Sequence, residues 1–311
     1  MNYILNEVRF PSSDGRNTIY AEIYAPKNCE VRAVVQLVHG MIDYTGRYTE
    51  LANFLAGHGF VFAGHHHLGH GKSASSPEDL GHFADKDGYS YVIADTHLMN
   101  KHLHHQYPHL PVIMLGHSMG SFISRLYAKE YPNSIAGLII HGTGGPNPLV
   151  GVGKALAGLI RTFYGPRHKS ALINGMAFGS YNSKFPKEEG HNAWLTRDLE
   201  KVKDRDTNPF TSFEFSISSY IDLFTFLGNS NSKAWFKGYP KNLPTLVTSG
   251  DMDPVGNYGK GPHYVYKQLM INGVSDIALK MYEGARHELF NETNAEEVFA
   301  DLLLWIEGVI K

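Results

Sequence analysis

The chain has 311 residues, 28 basic and 30 acidic side chains, a formal charge of −2 and a single cysteine, Cys29. Balanced charge gives no electrostatic reason to expect nucleic acid as a partner, and one cysteine excludes an intrachain disulfide. No run approaches the roughly eighteen apolar residues of a membrane span, and the opening MNYILNEVRF lacks a basic-then-apolar signal, so a cytoplasmic protein is expected.

Two alternating segments, Asn6–Phe10 and Thr18–Tyr24, flank the turn-rich Ser12-Ser13-Asp14-Gly15 and read as an antiparallel hairpin at a sheet edge. Val31–Val38 reads as a strand ending at His39-Gly40, Tyr48–Gly57 as a helix and Phe60–Gly64 as a short buried strand. Helical pattern over Tyr89–His105 precedes the strand Val112–Leu115. Gly120–Glu130 is again helical and Ile135–Ile140 is a continuous apolar run. Near the end come strand Thr245–Thr248, a helical stretch about Tyr258–Ile271 and strand Ile277–Tyr282. A last helix carries Val298, Phe299, Leu302, Leu303 and Ile306 at helix spacing, with Thr293 and Glu296 as its expected capping box.

Apolar strands alternating with helices imply an α/β fold, a mostly parallel sheet flanked by helices. From Thr143 to Pro240 the alternation stops. Val152, Leu156, Leu159, Ile160 and Phe163 recur at helical spacing there, and Phe210–Leu227 is dense in Phe and Tyr. The reading is a core of residues 1–142 and 241–311, with 143–240 as an inserted helical cap.

Of eighteen histidines, nine crowd into His58–His70 and His102–His109. His65, His66, His67 and His70 lie close enough to suggest a metal site. Neither a cysteine pair nor H-E-x-x-H accompanies them, so loop packing is the expectation, with no metal and no cofactor.

Gly116-His117-Ser118-Met119-Gly120 follows the apolar strand and precedes a helix, the setting of a nucleophile elbow. A sharp turn there lifts the Ser118 hydroxyl out at the carboxyl ends of the strands, and flanking side chains would collide with backbone. A serine needs a base, and the base an orienting acid. His287, in the last loop before the terminal helix, is placed to be that base, and its loss of a proton predicts activity rising with pH. Asp251 and Asp253 both sit in the loop after Thr245–Thr248; Asp253 is preferred because it lies deeper, with Pro254 able to stiffen it. Two amides should receive the oxyanion: Met119, after the nucleophile, and Met41, in the loop after Val31–Val38.

Taken together, HGMIDYTGRY (39–48), LGHGKS (68–73), GHSMG (116–120), GDMDPVG (250–256) and YEGARHE (282–288) resemble the monoacylglycerol lipase and lysophospholipase group of α/β-hydrolases, which overlaps the S33 serine aminopeptidases. The segments lie in register across nearly the whole chain. The resemblance implies the α/β-hydrolase fold, with the nucleophile at Ser118, acid at Asp253, base at His287 and oxyanion donors at Met41 and Met119. It also implies substrate-binding roles for Asp43, in place of a family glutamate, and for Arg47. His66 and Leu68 stand where the family has Asp and Arg, so a local rearrangement of that loop is expected. The expected reaction is hydrolysis of a carboxylic ester, of monoacylglycerol or lysophospholipid type, through an acyl-serine, with transient membrane contact through the cap. The alternatives are a serine aminopeptidase, with Glu188, Glu189 or Asp198 holding the substrate amine, and a catalytically silent binding protein.

Overall fold

The computed structural model describes all 311 residues. Its centre is an eight-stranded sheet in the order β1-β2-β4-β3-β5-β6-β7-β8. The strands are β1 (Tyr3–Pro11), β2 (Thr18–Pro26), β3 (Ala33–Val38), β4 (Phe60–His65), β5 (Val112–His117), β6 (Gly137–His141), β7 (Thr245–Gly250) and β8 (Ile277–Tyr282). The opening hairpin pairs antiparallel at the edge, β2 runs antiparallel to β4, and all later pairings are parallel.

Every residue of β3 to β7 is buried, which explains their mostly apolar character. Alternate side chains feed two cores on opposite faces. In β5, Val112 and Met114 join the core under α2 (Gly88–Gln106) and α3 (Met119–Glu130), while Ile113 and Leu115 join the core under α1 (Thr49–Gly57) and α10 (Ala295–Val309). Thr293 does not cap α10. Asn294 stands at its N-cap position and donates to Glu297 Oε2 at 2.9 Å, because the chain stays non-helical one residue beyond the expected start.

Between β6 and β7 lie α4 (Leu149–Tyr164), α5 (Ala171–Phe178), α6 (Leu199–Thr207), α7 (Ile217–Ser230) and α8 (Lys233–Gly238); α9 (Lys260–Ile271) follows β7. The aromatics expected in Phe210–Leu227 divide by depth. Phe215, Tyr220 and Phe226 are core residues, and Phe224 and Leu227 face the cavity described below.

Strand order itself creates that cavity. From β3 the chain moves outward to β4, then crosses back to place β5 on the other side of β3. Loops leaving β3 and β5 therefore diverge, and a crevice opens at their carboxyl ends.

Candidate active site

Ser118 sits at this crevice, half-buried between β5 and α3, with φ 53° and ψ −120°. A non-glycine residue at such an angle is strained and must be held by its surroundings. The Ser118 amide donates to the His141 carbonyl at 3.0 Å, and the Ser118 carbonyl accepts from the Ser121 amide at 2.8 Å. The flanking glycines are sterically required. A Cβ on Gly120 would lie 1.8 Å from the Val38 carbonyl oxygen, and one on Gly116 would lie 2.5 Å from that of Gly120.

His287 shares a cavity wall with Ser118, its ring 4.9 Å from that of His117, the residue before the serine. Its Nδ1 lies 3.0 Å from Asp253 Oδ2, with the N–H direction bent away from the oxygen, so the two are in contact without an aligned hydrogen bond. Asp253 is fully buried, and its Oδ1 accepts from the Val255 amide at 2.8 Å. Asp251 points elsewhere, accepting from the Gly284 amide at 2.8 Å and so tying the β7 loop to the β8 loop. Of the two aspartates open to sequence reading, the structure brings Asp253 to the imidazole.

Met41 and Met119 both line the cavity beside Ser118. Met119 opens α3, so its amide has no intrahelical acceptor, and the Met41 amide has no acceptor in the protein. A Cβ on Gly40 would come 3.2 Å from that of Ser118, which shows how closely the β3 loop approaches the serine. Two unclaimed donors thus stand next to one hydroxyl, the arrangement that stabilises a tetrahedral oxyanion.

Arg47 falls otherwise than expected, while Asp43 lines the cavity with its carboxylate already engaged. Asp43 is buried and accepts from the Tyr44 amide at 2.9 Å, Arg47 at 3.1 Å and the Tyr48 hydroxyl at 2.5 Å. Arg47 grips Glu288 with two bonds of 2.8 and 2.6 Å and does not line the cavity. Direct substrate contact by Arg47 is therefore corrected to an internal ion pair, since its guanidinium is saturated by carboxylates. Burial works against the charge on Glu288, yet Arg47 and then Arg205 hold it well below the usual carboxylate range.

Glu288 and Arg205 do reach the cavity, though neither carries a local signal of that role. Glu288 acquires its meaning from Arg47, 241 positions away. Arg205 belongs to α6, LEKVKDRDT, whose composition reads as a solvated face. Trp194, its ring 5.2 Å from that of His287, was also missed.

The cavity measures about 570 Å³, within the range of small-molecule sites. Its wall is largely apolar, with Met41, Phe122, Val150, Met176, Phe178, Leu223 and Phe224. Its polar lining includes Arg205, Glu288, His191 and Asn192.

Of the crowded histidines, His66, His67 and His70 are packed in a loop as expected, while His65 ends β4 and His102, His104 and His105 lie on α2. His65, His66, His67 and His70 are buried, and His67 and His70 are bonded to backbone. At the position of the family aspartate, His66 Nδ1 accepts from the Lys72 amide at 2.9 Å, so a neutral ring braces the loop in place of a carboxylate.

The model of the serine aminopeptidase S33 family matches residues 29–294. The chain belongs to this family. Among curated relatives, the monoacylglycerol lipase of Mycolicibacterium smegmatis is 27% identical, covering 97% of this chain and 96% of that protein. The human monoglyceride lipase is 27% identical over 88% of this chain and 82% of its own. Among solved structures, a thermostable carboxyl esterase from Bacillus coagulans in complex with glycerol superposes with a TM-score of 0.92 at 30% identity, covering 99% of each chain. The α/β-hydrolase fold and the family expected from the motifs both stand.

Proposed function

We propose that this S33-family protein is a serine hydrolase that cleaves carboxylic esters with an apolar acyl chain, of monoacylglycerol or lysophospholipid type. Ser118 Oγ attacks the ester carbonyl as His287 takes its proton. The resulting oxyanion rests on the Met41 and Met119 amides, and collapse expels the alcohol, which receives the proton from His287. Water, deprotonated by His287, then attacks the acyl-serine and releases the fatty acid. Asp253 holds the imidazole in the needed tautomer.

The observation that carries this reading is the strained Ser118 on the wall of an apolar cavity that it shares with His287 and two unclaimed amides. Relatives named as monoacylglycerol lipases support the substrate class. The peptidase alternative finds less support. Glu189 is bound to Arg286 and Asp198 caps α6, while the cavity-facing carboxylates, Asp43 and Glu288, are both paired with arginine. Glu188 is exposed and does not line the cavity, so none of these carboxylates stands free in it to hold a substrate amine.

Residues 143–240 are read as a cap over the cavity. Helix α4 turns Leu149, Val152, Leu159 and Phe163 to solvent on one face, more than half of each side chain exposed. Such a stripe suits contact with a lipid surface. No helix is long and apolar enough to cross a membrane. With a single cysteine in the chain, we place the protein in the cytoplasm.

The test is turnover of monoacylglycerols of graded acyl length against a p-nitroanilide amino acid, with Ser118→Ala as control. Ester cleavage without anilide cleavage is expected, and Ser118→Ala should lower kcat at least ~10⁴-fold. Anilide cleavage at comparable kcat/KM would instead select the peptidase.

A further inference from the structure

The backbone of residues 39–42 is almost completely accounted for. The Gly40 amide donates to Asp43 Oδ2 at 3.3 Å and the Ile42 amide to His70 Nε2 at 3.2 Å. Among the carbonyls, that of His39 accepts from His67 Nε2 at 3.1 Å, that of Gly40 from His39 Nδ1 at 2.8 Å, and that of Ile42 from Arg205 at 3.0 Å. Met41 N–H alone among the amides of Gly40, Met41 and Ile42 is left without an acceptor. Ile42 holds φ at 53°, a strained value for a β-branched residue, so the loop shape is imposed by these bonds and not by local preference.

Three of the bonding groups are imidazoles, and their partners dictate which nitrogen carries the proton. A carbonyl only accepts and a backbone N–H only donates. His39 therefore carries its proton on Nδ1, toward the Gly40 carbonyl, and uses Nε2 to accept from the His67 amide at 3.1 Å. His67 carries its proton on Nε2, toward the His39 carbonyl, and its Nδ1 accepts from His65 Nε2 at 3.2 Å. His70 carries its proton on Nδ1, toward the Leu68 carbonyl at 3.0 Å, leaving Nε2 for Ile42. Each ring has one donor and one acceptor, both used. Burial keeps the rings neutral, with His70 pushed down to about 4 and His65 to about 3.

In a trans peptide the C=O and the following N–H point in opposite directions. Fixing the Gly40 carbonyl on His39 therefore fixes the Met41 N–H on the other side, the side of Ser118. We propose that His39, His67 and His70 are positioning residues that hold the Gly40–Met41 peptide in the orientation that makes Met41 N–H an oxyanion donor. The proposal rests on the reading of Ser118 as nucleophile. Rotation of this one peptide would present a carbonyl to the developing negative charge and remove a donor, a loss worth about 10²- to 10³-fold in kcat when a donor is deleted outright.

The test pairs His70→Leu, which removes the acceptor for Ile42, with His70→Gln, whose amide oxygen restores it. Each is measured for kcat, KM and thermal unfolding beside Ser118→Ala. His70→Leu should lower kcat by about 10- to 100-fold with KM within about twofold, and His70→Gln should recover most of the loss. A folded His70→Leu with wild-type kcat overturns the proposal, as does a loss that appears in KM alone. If His70→Leu does not fold, long-range proton–nitrogen correlation spectra of the wild-type protein labelled with ¹⁵N-histidine decide it. Neutral rings with the proton on Nδ1 of His39 and His70, and on Nε2 of His67, support the proposal; a charged ring or the opposite tautomer at any of the three overturns it. Should Ser118→Ala keep wild-type activity, the hydrolase reading itself falls, whatever these spectra show.

Discussion

A methyl group on either glycine beside Ser118 has no space that a rotamer change could open, because the atoms in its way are backbone. Gly120→Ala would set a carbon against the Val38 carbonyl and force β3 and α3 apart. We expect a stability loss of at least about 3 kcal/mol, above the usual range for overpacking, read from urea unfolding. This requirement is local, which is why GHSMG could be read from the sequence in its strand–helix setting. Glu288 is the opposite case. Its neighbours in the chain say nothing of Arg47, and only the fold brings the two together. Glu288→Gln removes the shared anion of a buried cluster and should destabilise by about 3–5 kcal/mol at pH 7. Since its carboxyl is held below its unfolded value, that contribution is fully present above the ordinary carboxylate range and disappears as pH falls through the lower, folded value. The difference between wild type and variant is read from urea unfolding at pH 7, where the carboxylate is charged and the fold intact.

Elements were legible wherever burial on both faces imposed a pattern. β3 to β7 could be recognised because apolar residues dominate them, and β1 and β2 because their sequences alternate. The cap chemistry was not legible, since it depends on how 143–240 attaches to the core. The attachment is uneven. Around residues 189–197 the segment is fastened to the loop bearing the base: the His287 amide donates to the Trp194 carbonyl and the Glu288 amide to that of Leu195. Arg286 reaches Glu189 at 2.7 Å and the Ala193 carbonyl at 2.6 Å, and stacks over Phe185. Helix α4, by contrast, buries only Gly153 and Ala157. Amide hydrogen exchange should be faster in α4 than in the amides of Trp194 to Arg197, and Arg286→Ala should erase that difference. Equal protection in the wild type would refute this division. Motion confined to α4 would admit an acyl chain while leaving Trp194 over the imidazole. Phe163→Glu, on the exposed stripe of α4, should slow cleavage of vesicle-borne monoacylglycerol and leave a soluble short-chain ester unaffected, as measured by initial rates.

At the scale of the whole molecule, a single reversal in strand order decides where chemistry can occur, and around it the protein has packed imidazoles beside the buried Arg47–Glu288–Asp43 cluster. Burial holds His39, His65, His66, His67, His70, His117 and His141 below the ordinary histidine range. Above pH 7 these rings are neutral folded or unfolded and do not affect stability. As pH falls below about 6.5 the unfolded chain takes up protons that the folded one refuses, at about 1.4 kcal/mol per unit for each ring. Asp222, pushed up to about 7 by burial, and Asp95, also raised by burial, act in the opposite sense. By pH 5.5 the seven rings together cost on the order of 10 kcal/mol, similar to the whole stability of a typical domain. Acid should then end activity by collapse of the fold. The low-pH edge of the rate profile would be cliff-like, with the steepness of many protons entering together, and circular dichroism should fall along the same curve. A one-proton slope with intact ellipticity would mean that the rings tolerate charge where they sit.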